Sequence, residues 1–225
     1  LKLKREARGA IDLISTESKI VCDKTGAPVD VLPRTSGISE SIIEEFMIAC
    51  NETVAEHMFH LKKPAVYRVH DKPDPSKLMA FAVTASNLGF SVQNDLSSPF
   101  SLQQILSASA GTSSQKVLHT LMLRSMAKAR YSSENSGHFG LASKYYCHFT
   151  SPIRRYPDLV VHRFLKATMD GTLCGQSEVS AYSFATKAAT LSSDSEVRAD
   201  TAEREIEKLY KAEYMEQFIG CEFEA

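Results

Sequence analysis

The run from His148 to Leu159, HFTSPIRRYPDL, constrains this chain more than any other segment. Pro152 and Pro157 each fix φ at about −65° and remove a backbone donor, and two adjacent arginines stand between them. Ser151-Pro152 is predicted to start a helix, with Ser151 as N-cap and Pro152 in the first helical position. Arg154 and Arg155 then lie near a helix N-terminus, where free N–H groups and the dipole favour an anion. Two fixed guanidiniums hold phosphate oxygens bidentately, which an ammonium cannot do. Pro157 limits how far the first turn is regular, and Asp158 is close enough to tether one of the arginines. Ile153, Tyr156, Leu159, Val160 and Phe164 are expected on the buried side. The competing reading is an ordinary helix start with an Arg–Asp pair.

Charge around this segment is uneven. From His119 to Lys166 there are eight Lys/Arg against Glu134 and Asp158, with His119, His138, His148 and His162 among them. From Gln176 to Ala225 the balance reverses, to 11 acidic and five basic residues. Such a split suits a polyanion-binding face backed by a solvated acidic helix, or plain surface variation. The net charge of −1 excludes a wholly basic surface but not a local basic groove. With 225 residues and 43% hydrophobic content, the chain is one large domain or two small ones with a sizeable core. No apolar run approaches the ~20 residues that span a bilayer. No signal-peptide core follows Leu1, and the missing initiator Met suggests a fragment or a processed product. The five cysteines, Cys22, Cys50, Cys147, Cys174 and Cys221, are scattered and contain no C-x-x-C. Mostly buried thiols in a cytoplasmic protein are expected, without a disulfide framework or zinc site.

Along the chain, the start reads as β. Arg8–Leu13 is a short mixed run, and a hairpin is expected from 17–22 and 27–32 around the turn Asp23-Lys24-Thr25-Gly26, with a breaker over 33–37. Residues 41–61 form a strong helical pattern. Ile42, Phe46, Met47, Cys50, Val54 and Met58 are its expected buried stripe, and Ser41-x-x-Glu44 has the form of a capping box. Pro64 ends it, and Val66–His70 reads as a strand. Asp74-Pro75 caps a helix carrying Leu78, Phe81, Ala82, Ala85 and Leu88, closed by Gly89. Residues 102–110 and 113–128 look helical, 129–146 are short strand or loop, and 151–169 begin with a turn and become helical. Helix is expected over much of 177–218.

The HFTSPIRRYPDL string, together with ARYSSENSGHFGLASKYY before it, closely resembles the ribonuclease II/ribonuclease R family, processive 3′-to-5′ exoribonucleases with an RNB catalytic domain. RGAIDL (8–13), IIEEFMIACNETVAEHM (42–58) and YRVHDKPDP (67–75) follow the family's order. The resemblance covers essentially the whole chain and is strongest to the ribonuclease R branch. It implies an α+β fold: a mixed sheet with several packed helices and long C-terminal helices. Residues 1–218 would be the C-terminal portion of an RNB domain, and 219–225 the start of a linker or strand into an OB-fold RNA-binding domain. The implied activity is metal-dependent hydrolysis of single-stranded RNA from a free 3′ end, releasing nucleoside 5′-monophosphates. Two Mg²⁺ ions would stabilise the attacking and leaving oxygens. The family holds these ions with a D-x-D-D-like aspartate cluster near the start of its domain. This chain has none, so the ligands are expected upstream and the chain alone is expected to be inactive.

The resemblance places the family's catalytic arginine at Arg154, clamping the scissile phosphate. It makes Arg155 a candidate for an adjacent phosphate, against pairing with Asp158. Glu44 matches a carboxylate near the RNA that could accept a hydrogen bond from a 2′-OH, against its capping-box role. Glu203 matches a position close to the 3′-terminal nucleotide, against a solvated helix carboxylate. His70 and Arg68 fall on a segment near the channel. His138, Tyr156 and Asn51 are read as scaffold. The alternative functions are a catalytically inactive RNB-like RNA-binding protein and a helical interaction module.

Overall fold

A computed structural model describes residues 1–13, 18–34, 37–92 and 95–223. Glu17, the centre of the 33–37 breaker and the last two residues lie outside the described residues. The fold is α+β and divides into two compact units, one of Leu1–Ile14 with Ser41–Ser193, the other of Ser15–Glu40 with Asp194–Ala225.

The first unit opens with a short helix, α1 (Lys2–Ala7), where the sequence reads as β. Six residues are too few for a periodicity to show. The helix is fixed from outside, by the buried pair of Arg5 with Glu45, whose Oε1 accepts Nε at 3.0 Å and Nη2 at 2.7 Å. Arg8 just beyond it forks onto Glu52 at 3.2 and 2.7 Å. Both carboxylates belong to α2 (Ile38–His60).

The length of α2 follows the predicted helix, but its buried face does not. Glu45, Ile48, Asn51, Ala55 and Met58 are buried, whereas Ile42, Phe46 and Met47 of the expected stripe are exposed. The face is rotated because Glu45 and Asn51 have internal partners that repay their desolvation. Nor is Ser41 a cap, since the helix begins three residues earlier; there Glu40 Oε2 accepts the Gly37 N–H at 3.0 Å. That leaves Glu44 exposed on the helix surface.

After α2 come β3 (Tyr67–Val69), α3 (Pro75–Asn87), α4 (Pro99–Ala108), α5 (Gln115–Ser125) and β4 (Arg130–Ser132). Asp74 caps α3 as expected, its Oδ1 accepting the Ser76 N–H at 2.9 Å and the Lys77 N–H at 3.3 Å. Strand β3 pairs antiparallel with β4, and isolated bridges extend this pairing: Tyr67–Cys147 antiparallel and His70–His138 parallel. Pairing around β3 is thus mixed, on a small scale. A 3₁₀ turn (Phe139–Leu141) leads to α6 (Tyr156–Met169) and then α7 (Gln176–Glu216). The long helical C-terminal region is this one helix of 41 residues, about 60 Å at 1.5 Å per residue.

Two apolar clusters hold the first unit. One gathers Met58, Val66, Val69, Cys147, Val160, Val161 and Phe164 with the alanine face Ala181, Ala185, Ala188 and Ala189 of α7. The other packs α3, α4 and α5 through Phe81, Leu102, Ile105, Leu118 and Met122. In the second unit, β1 (Ser18–Cys22) and β2 (Pro28–Pro33) form the expected antiparallel hairpin. Asp23 builds its turn, Oδ1 accepting from Thr25 N at 2.8 Å and Ala27 N at 3.1 Å. The expectation of mostly buried thiols fails: Cys22, Cys174 and Cys221 are exposed, because each lies near the end of an element or in a turn, and only Cys147 is fully buried.

Candidate active site

The sequence HFTSPIRRYPDL folds as an extended arm, a turn and a helix start. The arm is pinned by Asn51 of α2, whose Oδ1 accepts the Phe149 N–H at 3.0 Å and whose Nδ2 donates to the Tyr146 hydroxyl at 3.1 Å. His162 of α6 holds it from the other side, stacked on the Phe149 ring at 3.8 Å with Nε2 2.9 Å from the Phe149 carbonyl.

Helix α6 begins at Tyr156, with Arg155 as N-cap and Pro157 in the first turn. Ser151 is therefore not the N-cap, and 151–154 form a separate turn in which the Arg154 and Arg155 N–H groups point to the Ser151 carbonyl at 3.3 and 3.0 Å. Pro157 is the physical reason: in a helix started at Pro152 it would sit in the interior, where it removes a hydrogen bond and clashes. Ile153 and Tyr156 are exposed rather than buried, the former completely. Both lie outside the core-facing stripe that a start at Tyr156 defines.

Asp158 is fully buried in the first turn of α6. Its Oδ1 accepts the Ser151 N–H at 2.8 Å and Arg155 Nη2 at 2.8 Å, and Oδ2 accepts Arg155 Nε at 2.9 Å. Of the two readings of Arg155, the pairing with Asp158 is present. Arg154, next to it, is exposed and makes no ion pair or side-chain hydrogen bond among the described residues.

Behind the arginines lies a layer of neutral imidazoles. Burial, then the positive charges of Arg155 and Arg68, the neighbouring His138 and finally Arg154, push His148 down to about 3. His138 is pushed to about 3 by burial, His70 and Arg68. His148 Nδ1 lies 2.9 Å from the Tyr131 hydroxyl, and the Arg68 guanidinium lies 4.6 Å from the centre of the Tyr131 ring. His148 thus lies in the field of Arg155, Arg68 and Arg154. The His70 imidazole is also pushed below its ordinary value, chiefly by burial. Its Nδ1 accepts the Gly140 N–H at 2.9 Å and its Nε2 lies 2.7 Å from the Ala127 carbonyl, so both ring nitrogens serve the backbone. Glu44 is exposed on α2 and Glu203 is exposed on the part of α7 in the second unit.

A cavity of about 660 Å³ opens beside His70 and His138, lined also by Arg8, Lys72, Lys144 and Tyr145. Sequence reasoning missed this basic lining, because Arg8, Lys72 and Lys144 come from three well-separated segments of the chain. Among the described residues no group of three His, Cys, Asp or Glu side chains is placed to hold a metal. Asp158, the buried carboxylate of the motif, is already committed to three N–H donors. The described residues do not fit a metal centre.

The RNB domain matches residues 1–171. The chain belongs to the RNB domain family. Over 227 residues it is 42% identical to ribonuclease R 1 of Lactococcus lactis, covering all of this chain and 28% of that protein. It is 40% identical to ribonuclease R of Aquifex aeolicus, covering 99% of this chain and 32% of the relative. Among solved structures it matches Mycoplasma genitalium RNase R in complex with ribose-methylated single-stranded RNA, with a TM-score of 0.89 and 30% identity over 95% of this chain and 34% of that one. This RNB chain therefore spans about a third of the length of the relatives it matches. No helix among the described residues is long and apolar enough to cross a membrane.

Proposed function

We propose that this RNB chain supplies the phosphate-clamping part of a 3′-to-5′ exoribonuclease that hydrolyses RNA to nucleoside 5′-monophosphates. The observation that carries the reading is the contrast within one dipeptide. Arg155 is tied to Asp158, while Arg154 stands exposed and uncommitted on a turn fixed to the core. Its planar fork suits two non-bridging oxygens of one phosphate, and its charge opposes the negative charge that grows there as the bond to the leaving oxygen breaks. Such a preorganised donor is worth about 10²–10³ in rate.

The substrate in this reading is single-stranded RNA with a free 3′ end, in keeping with the RNA complex of the Mycoplasma genitalium relative. Glu44 is proposed to accept a 2′-OH hydrogen bond, and Glu203 to lie near the 3′-terminal nucleotide. Arg68 is proposed to contribute positive potential beside Arg154, with His70 shaping the same wall. The metal is proposed to be Mg²⁺, held by carboxylates outside residues 1–225, and residues 219–225 are proposed to start a linker or strand into an OB-fold RNA-binding domain. The enzyme is proposed to work in the cytoplasm.

The test is degradation of a 3′-tailed oligonucleotide with Mg²⁺, by residues 1–225 and by a longer protein carrying the upstream segment. Turnover only in the longer protein, lowered about 10²–10³-fold by Arg154→Ala with RNA binding retained, is the expected outcome. Turnover by residues 1–225 alone, or full turnover by Arg154→Ala, would overturn the assignment. RNA affinity should also fall steeply with salt, as phosphate contacts require.

A further inference from the structure

We infer that Asp158 is the positioning residue for Arg154, and that Arg155 serves the same end by pairing with it rather than by holding RNA. The inference rests on the reading of Arg154 as the phosphate clamp. Its own basis is the geometry of the turn. Between the arm and α6 the backbone leaves regular structure for 151–155, and Asp158 binds both ends of that excursion: the Ser151 N–H on one side, the Arg155 side chain on the other. Arg154 lies between those two anchors, and among the described residues its hold is its own N–H on the Ser151 carbonyl. Asp158 in turn is rigid, because α6 is locked into the core by Val160 and Val161, both fully buried.

Arg155 presents Nε and Nη2 side-on to the carboxylate, and its side chain is only 21% exposed. The two donors that a phosphate would need from that edge are already used. A buried ion pair of this kind adds little stability over well-packed apolar residues. What it fixes here is where the 151–155 turn, and with it the Arg154 guanidinium, stands relative to the core. A displacement of about 1 Å at such a group is worth about 10² in rate.

The experiment uses the full-length exoribonuclease containing these residues. Single-turnover cleavage is measured at saturating RNA with Mg²⁺, and RNA Kd is measured with the metal chelated. Asp158→Asn should lower the cleavage rate about 10²-fold and leave Kd unchanged. Added to Arg154→Ala, it should cost no further rate, because a residue acting through Arg154 has nothing left to position. A loss that adds to that of Arg154→Ala would overturn the inference while leaving the role of Arg154 intact. Full turnover by Arg154→Ala would remove that role and this inference with it. Where Asp158→Asn fails to fold, Arg155→Lys decides: it keeps the charge and loses the fork. A lowered rate at unchanged Kd supports positioning, and a raised Kd at unchanged rate would make Arg155 an RNA contact and overturn it.

Discussion

Acid should destabilise this fold before its carboxylates titrate, because two histidines behind the arginine turn are held neutral. Each has an ordinary value near 6.5 in the unfolded chain and about 3 in the folded one. As pH falls below 6.5, the unfolded state takes up protons that the folded state refuses. The stability is therefore complete above the unfolded value and is lost as pH falls towards the folded value. Between pH 8 and pH 5 this amounts to at most about 2 kcal/mol for each histidine. Together that is up to about 4 kcal/mol, against a native stability of about 5–15 kcal/mol. Equilibrium urea unfolding followed by circular dichroism at the two pH values measures it. His138→Asn with His148→Asn is the control. Asn keeps a hydrogen-bonding atom near the Nδ1 position, which the Leu141 N–H and the Tyr131 hydroxyl use at 3.2 and 2.9 Å. The double variant should lose the share of the pH dependence between 5 and 8 that these two carry, while His70 and His119, also pushed down by burial, keep theirs. The same pH dependence in variant and wild type would refute the reasoning.

Three further outcomes follow from packing and burial. Gly9→Ala should destabilise by more than about 2 kcal/mol in thermal or urea unfolding, because φ is +92° there and a Cβ would stand 2.6 Å from the backbone of Phe100. Phe81→Ala, at 1% exposure in the α3–α5 cluster, should cost about 3–5 kcal/mol in the same assay. In thiol labelling, Cys22, Cys174 and Cys221 should react rapidly, whereas Cys147 should react only on unfolding, since burial pushes its thiol up and its Sγ–H donates to the Asn51 carbonyl at 3.4 Å.

Local chemistry made part of the fold readable in the sequence. Asp74-Pro75 caps α3 and Asp23 closes the hairpin because each acts on residues two to four positions away. The phase of α2 was not readable in the same way. Its period marks the helix, but hydrophobicity alone favours Ile42, Phe46 and Met47 for the inside. The buried positions instead include Glu45 and Asn51, whose partners, Arg5 and Tyr146, lie 40 and 95 residues away. A polar residue is admitted to the interior by its partner, and no helical period contains that partner.

The site shows the same limit at a shorter range, and here the sequence held the deciding signal. Asp158 is spaced to reach either arginine, so residue types alone do not say which one it takes. The choice depends on where the helix starts. The start at Pro152 expected from Ser151-Pro152 would place Arg154 and Arg155 on one helical turn with similar surroundings. Pro157 forbids it, because a proline is tolerated in the first turn and not in the interior. Applied to Pro157 instead of Pro152, the same rule starts α6 at Tyr156 and makes Arg155 its N-cap. Asp158 then stands in the third helical position, from which a side chain reaches back to the cap residue, and it takes Arg155. Arg154 falls one residue outside the helix, on the turn that the same carboxylate closes. Two prolines thus divide one pair of identical side chains into a tethered arginine and an exposed one.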